Sequence, residues 1–316
     1  MKKESSFSIS GKKIYVAGHT GMLGTSLVKR LEKENAEIIT ARRQDLDLTR
    51  QVEVEEWMLE HSPDVVIIAA AKVGGIHSNS TYPANFIYEN TLISSNLIHS
   101  SFISKSKKVI MLGSSCTYPK LASQPIKESS LMEGKPEETN QWYTVAKLAG
   151  IKIAEAYRQQ YGLDCISILP TNLYGPGDNL DPLNSHVIPA LFNKFKKAKA
   201  EGQKKETLWG TGEPKREFMY VDDASDAIVF LIKNYSNSEP INVGSGQEIN
   251  IITLANIIAK IVGYTGEISF DKTKPDGAPR KLLDTTKLKD LGWQAKVALE
   301  DGLIKTNDWL NQIDEQ

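Results

Sequence analysis

This 316-residue sequence predicts a doubly wound parallel α/β sheet followed by a smaller α+β lobe, and three observations carry that prediction. Apolar, strand-like runs alternate with helix-forming runs through the first 170 residues. The first strand runs straight into Gly18-His-Thr-Gly21-Met-Leu-Gly24, a Gly-x-x-Gly-x-x-Gly loop. Reactive side chains, Ser114-Ser-Cys116 and then Tyr143 and Lys147, follow a later strand. Strands alternating with helices imply a parallel sheet covered on both faces. Ligands of such sheets bind outside the carboxyl ends of the strands.

The elements can be justified in order. Residues 1–10 are mostly polar and read as a loose tail, and Lys13-Ile-Tyr-Val-Ala17 is the first strand. Glycines at 18, 21 and 24 permit a tight turn and close approach of backbone to phosphate. The amphipathic helix that follows (Leu23, Leu27, Val28, Leu31) offers free N–H groups to a pyrophosphate. The alternative is a glycine-rich turn with no ligand. A second strand at 37–40 ends at Arg42-Arg43, where an acidic residue would favour NAD and an arginine accommodates the 2′-phosphate of NADP. A solvated basic pair is the rival reading. Asp45 and Asp47 could accept from an adenine amino group or stay in water. A helix at 52–60, a strand at 64–69, a helix at 85–104, a strand at 108–112, the Tyr143 helix and a strand at 164–169 complete the alternation.

The loops at Gly18, 70–75, 114–116 and 170–174 all follow strands, so they are expected to converge on one crevice of a Rossmann-type sheet. The expected division is a nucleotide-binding domain over 1–173, completed by 219–244, and a lobe over 174–218 and 245–316. The return to the main sheet is expected near 219–223 and 241–243. The basic stretch 194–205 reads as a solvated helix face.

Lysine plus arginine (38) nearly cancels aspartate plus glutamate (39), so no global field suggests nucleic acid or an anionic membrane as partner. Neither a membrane-length apolar run nor a leader is legible, which makes a cytoplasmic protein the expectation. Cys116 and Cys165 are too few for a disulfide framework or a cysteine metal site, so no metal is expected. Cys165, inside an apolar strand, is expected to pack as a small hydrophobe. Tyr143 and Lys147 are four apart on a helix and share a face. A phenol ordinarily titrates near 10, and a nearby ammonium favours its ionised form, so Lys147 is expected to bring Tyr143 toward proton exchange near neutrality.

The Gly18–Gly24 loop, Tyr143-x-x-x-Lys147 and Ser114 together resemble the extended short-chain dehydrogenase/reductases over nearly the whole chain. Val16-Ala-Gly-His19, Ala70-Ala-Lys-Val-Gly-Gly-Ile76, Leu112-Gly-Ser-Ser-Cys-Thr-Tyr-Pro119, Leu169-Pro-Thr-Asn-Leu-Tyr-Gly-Pro176 and Asn184-Ser-His-Val-Ile-Pro189 resemble, more narrowly, the GDP-L-fucose synthase family. That resemblance implies an NADP(H)-dependent, homodimeric 3,5-epimerase and 4-reductase acting on GDP-4-keto-6-deoxy-D-mannose. It implies Cys116 as base and His186 as acid, with Tyr143 and Ser114 on the C4 carbonyl oxygen and Lys147 on the nicotinamide ribose. Implied cofactor contacts are Gly18, His19, Thr20, Gly21, Met22, Leu23, Gly24, Arg42, Arg43, Ala70, Leu112, Gly113, Lys147, Pro170, Thr171, Asn172, Leu173 and His186. Implied substrate contacts are Lys194, Trp209, Arg216, Asp276 and Lys281. Local rivals stay open: Arg216 could pair with Asp222 or Asp223, Trp209 could be lobe core, and Asp276 could merely form a turn. Thr20 departs from family members with a basic residue in the glycine loop, which throws the 2′-phosphate onto Arg42 and Arg43. Two other functions also stay open, a nucleotide-sugar 4-epimerase or 4,6-dehydratase and a cofactor-sensing regulator. Cys116 and His186 weigh against the first, and the retained Tyr143 and Lys147 against the second.

Overall fold

The computed structural model describes residues 6–181, 185–274 and 276–314. β1 (Lys13–Ala17), α1 (Met22–Leu31), β2 (Glu37–Ile39), α2 (Gln51–His61), β3 (Val65–Ile68), α3 (Ile76–Thr81), α4 (Pro83–Ile103), β4 (Lys108–Leu112), α5 (Gln141–Tyr161) and β5 (Asp164–Pro170) carry the first part of the chain. They are followed by β6 (Asn172–Tyr174), α6 (Val187–Ala200), β7 (Lys205–Trp209), β8 (Lys215–Tyr220), α7 (Val221–Asn234) and β9 (Ile241–Val243). The remainder comprises β10 (Glu248–Asn250), α8 (Ile251–Val262), β11 (Glu267–Asp271), β12 (Arg280–Lys281), α9 (Thr286–Asp290) and α10 (Leu299–Asp314).

The main sheet is wholly parallel, in the order β2-β1-β3-β4-β5-β9. Its strands are near-continuous apolar runs because both faces are covered. Alternation sorts their side chains: Ile14 and Val16 join Leu27, Leu31 and the α7 residues Ala224, Ile228 and Leu231 on one face. Tyr15 and Ala17 join Val54, Met58, Leu97 and Ala154 from α2, α4 and α5 on the other. The strand order reverses at β1, whose neighbours are β2 and β3, and this switch point opens the crevice at the carboxyl ends. A second sheet, β10-β8-β12 with β6 also paired to β8, and the parallel pair β11-β7 form the lobe. Its core is built from α6, α8 and α10 residues such as Phe192, Phe195, Leu254, Ile258 and Leu303. Among the described residues no helix is long and apolar enough to cross a membrane.

Two expectations are corrected. Near 219–223 the chain returns to the main sheet as a helix that packs on its face, not as a strand, and only β9 rejoins the sheet by pairing. Met219 and Tyr220 belong to β8, whose backbone is used by β6, β10 and β12, and residues 221–223 open α7. The tail is not loose over all of 1–10. The Phe7 amide donates to the Lys233 carbonyl at 2.8 Å and Ile9 is only 2% exposed, because alternate apolar residues put both on the core side. Residues 1–5 lie outside the described residues.

Candidate active site

β1 delivers the chain into the glycine loop, where each glycine answers a different demand. Gly18 has φ +86°, and a Cβ there would stand 2.6 Å from the Ala70 backbone. At Gly24 a Cβ would overlap the Gly18 carbonyl, so α1 can start this close only with glycine. Gly24→Ala is therefore expected to cost about 1–3 kcal/mol by overpacking and to lower Tm in thermal unfolding; an unchanged Tm would contradict the close approach. Gly21 differs, since it has extended backbone and a Cβ would meet nothing nearer than 3.6 Å. Internal packing does not require that glycine. Gly21 caps α1 without a side-chain bond and no acid occupies the first turn, which leaves N–H groups facing the crevice. His19 Nδ1 is also buried there without a protein partner. An orphaned buried polar atom beside an open helix start fits a dinucleotide.

Arg42 and Arg43 are exposed beyond β2. Arg43 lies 3.4 Å from Glu89, which is held by Lys72 at 2.6 Å. Asp47 accepts from the Thr49 amide and hydroxyl at 3.0 and 2.8 Å, so its carboxylate is occupied by a turn. Beyond β5, the Thr171 amide donates to the Val243 carbonyl at 2.9 Å, and the Asn172 amide group donates to the Glu217 carbonyl at 2.8 Å.

The reactive cluster sits where β4 ends against α5. Leu112 ends the strand and Gly113 leaves it, and a Cβ at Gly113 would overlap Leu169. Ser115–Thr117 form one 3-10 turn. Ser114 Oγ accepts from the Cys116 amide at 3.1 Å, and Thr144 Oγ1 of α5 donates to the Cys116 carbonyl at 3.0 Å, pinning the turn beside Tyr143. Lys147 is 3% exposed and donates to the Leu112 carbonyl at 2.9 Å. Burial brings its ammonium down to about 8.

The expectation for Tyr143 is corrected. Burial, reinforced by the neighbouring Cys116, pushes the phenol above its ordinary range, and the Ser114 hydrogen bond offsets only part of this. Lys147 does not lower it because the ammonium is turned to the Leu112 carbonyl, 5.8 Å from the phenol ring centroid. Cys116 moves the other way. Burial raises the thiol, but the Lys281 ammonium 3.5 Å from Sγ, the Ser114 hydroxyl and His186 together hold it below the usual thiol range. His186 precedes α6 and faces Asp178, whose Oδ1 is 3.9 Å from Nδ1; that carboxylate raises the imidazole. The Asn184 of its motif lies outside the described residues.

Substrate-side candidates divide. Lys281 reaches Cys116, and Arg216 lies beside it in register on β8 and feels both Asp276 and Cys116. Asp222 and Asp223 are engaged elsewhere, by Ser26 and by the Lys296 and Val297 amides, so the alternative Arg216 pairing is not formed. Trp209 is 72% exposed with Lys274 over its ring at 5.6 Å, and is not lobe core. Asp276 takes both Thr211 donors at 2.9 and 2.6 Å and does shape a turn. Lys194 is held by Glu206 and the Thr207 carbonyl. Neither Lys194 nor Trp209 touches the reactive cluster. Sequence reasoning missed Asp178, Thr144, Glu89 and the buried Glu217. An acid eight residues before His186 was the one available signal for Asp178.

A dinucleotide crevice at the switch point, with serine, tyrosine and lysine converging beside it, defines an NAD(P)-dependent enzyme of the short-chain dehydrogenase type. Residues 14–244 match the model of the NAD dependent epimerase/dehydratase family. The chain is 52% identical over 306 residues to GDP-L-fucose synthase 1 of Arabidopsis thaliana, covering 96% of this chain and 95% of the relative. It is 53% identical over 300 residues to a GDP-L-fucose synthase of Sinorhizobium fredii, covering 95% and 96%. A solved GDP-L-fucose synthetase of Naegleria fowleri bound to NADP superposes with TM-score 0.91 at 28% identity, covering 100% of this chain and 98% of the other. The chain belongs to the NAD dependent epimerase/dehydratase family and, within it, to the GDP-L-fucose synthases.

Proposed function

We propose that this enzyme converts GDP-4-keto-6-deoxy-D-mannose to GDP-L-fucose with NADPH, by 3,5-epimerisation followed by 4-keto reduction. One observation carries the reading: a lowered thiol at Cys116 and a raised imidazole at His186 share a site with the Ser114–Tyr143 pair. A plain ketoreductase has no use for the first two. Dehydratases of this superfamily use an acidic pair, whereas this chain has Ser-Ser-Cys.

Epimerisation beside a ketone removes a carbon-bound proton from one face, stabilises the enolate and returns a proton to the other face. In this reading Cys116 thiolate accepts the proton and becomes a thiol. The protonated His186, supported by Asp178, donates to the opposite face. Tyr143 and Ser114 hydrogen-bond the C4 oxygen where charge collects. A phenol held above its ordinary range stays protonated, which suits a group that must first donate a hydrogen bond and then a proton to that oxygen. NADPH, when bound, supplies the hydride that C4 receives. Lys147 would hold the nicotinamide ribose, Gly21 and the start of α1 the pyrophosphate, and Arg42 with Arg43 the 2′-phosphate. Arg216 and Lys281 suit the diphosphate of a GDP-sugar, with Trp209 offering a flat surface and Lys194 and Asp276 further polar contacts. Residues 1–173 with 219–244 would then be the cofactor domain, and 174–218 with 245–316 the substrate lobe. A cytoplasmic location suits a thiol that must stay reduced. Purified enzyme should oxidise NADPH on addition of the 4-keto sugar and do so faster than it oxidises NADH. If NADPH binds but is not consumed, the reductase reading fails.

A homodimer built on α4 and α5 is part of this proposal. Both helices expose large apolar side chains, among them Tyr88, Phe102, Trp142, Val145 and Tyr161, and Phe102 stacks on Tyr161 at 4.2 Å. Light scattering at micromolar concentration should find a species of twice the 35.0 kDa chain mass; a 35.0 kDa species alone would refute it.

A further inference from the structure

Lys281 differs in its partner from the paired cations near it in the lobe. Its neighbour Arg280 is paired with Glu248 at 2.6 Å, and Lys194 with Glu206 at 3.3 Å. Lys281 has no carboxylate partner recorded among the described residues; its polar contact is Cys116 Sγ at 3.5 Å. A half-buried ammonium whose partner is a thiol favours the thiolate.

The backbone around Lys281 is fixed at several points, so this contact does not depend on one flexible side chain alone. On one side β12 registers Lys281 against Arg216 of β8. On the other, residues 282–284 run along the loop that follows Cys116. There the Ile126 amide donates to the Leu282 carbonyl at 2.8 Å, and the Asp284 amide to the Ile126 carbonyl at 2.8 Å. The Leu282 amide donates to Gln124 Oε1 at 2.9 Å. Beneath these, buried Glu217 accepts from the Leu283 amide at 3.0 Å and the Gly246 amide at 2.7 Å, tying β8 to the same segment. The lobe strand that carries the ammonium is thereby clamped to the main-domain loop that carries the thiol.

We propose that Lys281 is a positioning residue for the base, an ammonium supplied by the lobe that holds Cys116 as thiolate before substrate arrives, in addition to any contact with the diphosphate. The proposal deepens the epimerase reading and rests on Cys116 being the proton acceptor. It makes the basicity of the site depend on the β12 clamp, so an enzyme whose lobe segment is displaced would lose epimerisation before it loses cofactor binding.

The test reads the thiol rather than turnover. Iodoacetamide alkylation of the ligand-free enzyme is followed against pH, with the modified residue identified by mass spectrometry. Cys165 is 2% exposed and burial raises its thiol to about 12, so Cys116 carries the signal. In Lys281→Met the midpoint of the profile should move upward and the rate at pH 7 should fall about tenfold or more, as loss of a neighbouring opposite charge predicts. Lys281→Arg, which keeps the charge, should restore most of the rate. If Lys281→Met unfolds, Lys281→Gln gives the same reading. A profile identical to wild type in the folded, charge-free variant, with only a raised KM for the GDP-sugar, would overturn the proposal and leave Lys281 as a diphosphate ligand. Failure of the underlying reaction would appear separately, as wild-type enzyme that does not exchange carbon-bound protons of the sugar whatever its alkylation profile.

Discussion

Tyr143→Phe is expected to lower 4-keto reduction about 10²–10⁴-fold, the usual contribution of a positioned acid, without loss of fold or of NADPH binding. The substitution removes one oxygen from a half-buried ring, so any cavity it leaves is small. What disappears is a donor that burial keeps protonated, which in the proposed mechanism would leave Ser114 alone on the C4 oxygen. Because the same carbonyl is polarised during enolate formation, exchange at C3 and C5 should fall as well, by about 10²–10³-fold if the phenol is one of two oxyanion donors. NADPH absorbance and deuterium exchange measured on one preparation separate the two effects. A variant that reduces at the wild-type rate would remove Tyr143 from the mechanism.

Cys116→Ser should split the reaction. A serine hydroxyl in the same place is a far weaker base than a thiol held below its usual range, so exchange at C3 and C5 is expected to drop about 10²–10⁴-fold. In the proposed mechanism reduction uses Tyr143 and bound cofactor but not the thiol, so NADPH consumption should persist on the unepimerised sugar and the product should be a D-configured GDP-6-deoxyhexose. Product analysis by NMR decides this. Continued formation of the L-sugar by the variant would mean that Cys116 is not the base. In the wild type, exchange should survive on the acid side of the ordinary thiol range and fade as pH drops through the lowered thiol value.

Local pattern predicted those elements of the fold that depend on local pattern. The Gly18–Gly24 loop, the apolar strands and the four-residue spacing of Tyr143 and Lys147 each need only a few consecutive residues to be recognised. The lobe was harder, because β8 opens on the charged Lys215-Arg-Glu217 and only its Phe218–Tyr220 end is apolar, so long-range pairing with β6, β10 and β12 is what assigns it to the second sheet. Phe7 and Ile9 were hidden in a polar run, although their spacing of two matches a strand-like edge against the core. At the site, residue types were legible and environments were not. Spacing alone placed Lys147 beside Tyr143, but the direction of the ammonium is set by the Leu112 carbonyl, 35 residues away in sequence. Asp178 against His186 and Lys281 against Cys116 likewise arise from tertiary approach, and each moves its partner toward the charged form.

The most direct test of the central claim, that one site performs proton exchange and hydride reduction on the same sugar, is a single reaction in D₂O. GDP-4-keto-6-deoxy-D-mannose is supplied with NADPH and the product is analysed by NMR and mass spectrometry. The account predicts a GDP-L-6-deoxyhexose carrying solvent deuterium at both C3 and C5, formed with one equivalent of NADPH consumed. A reduced product with no deuterium at either carbon, or deuterated sugar with NADPH untouched, would contradict it.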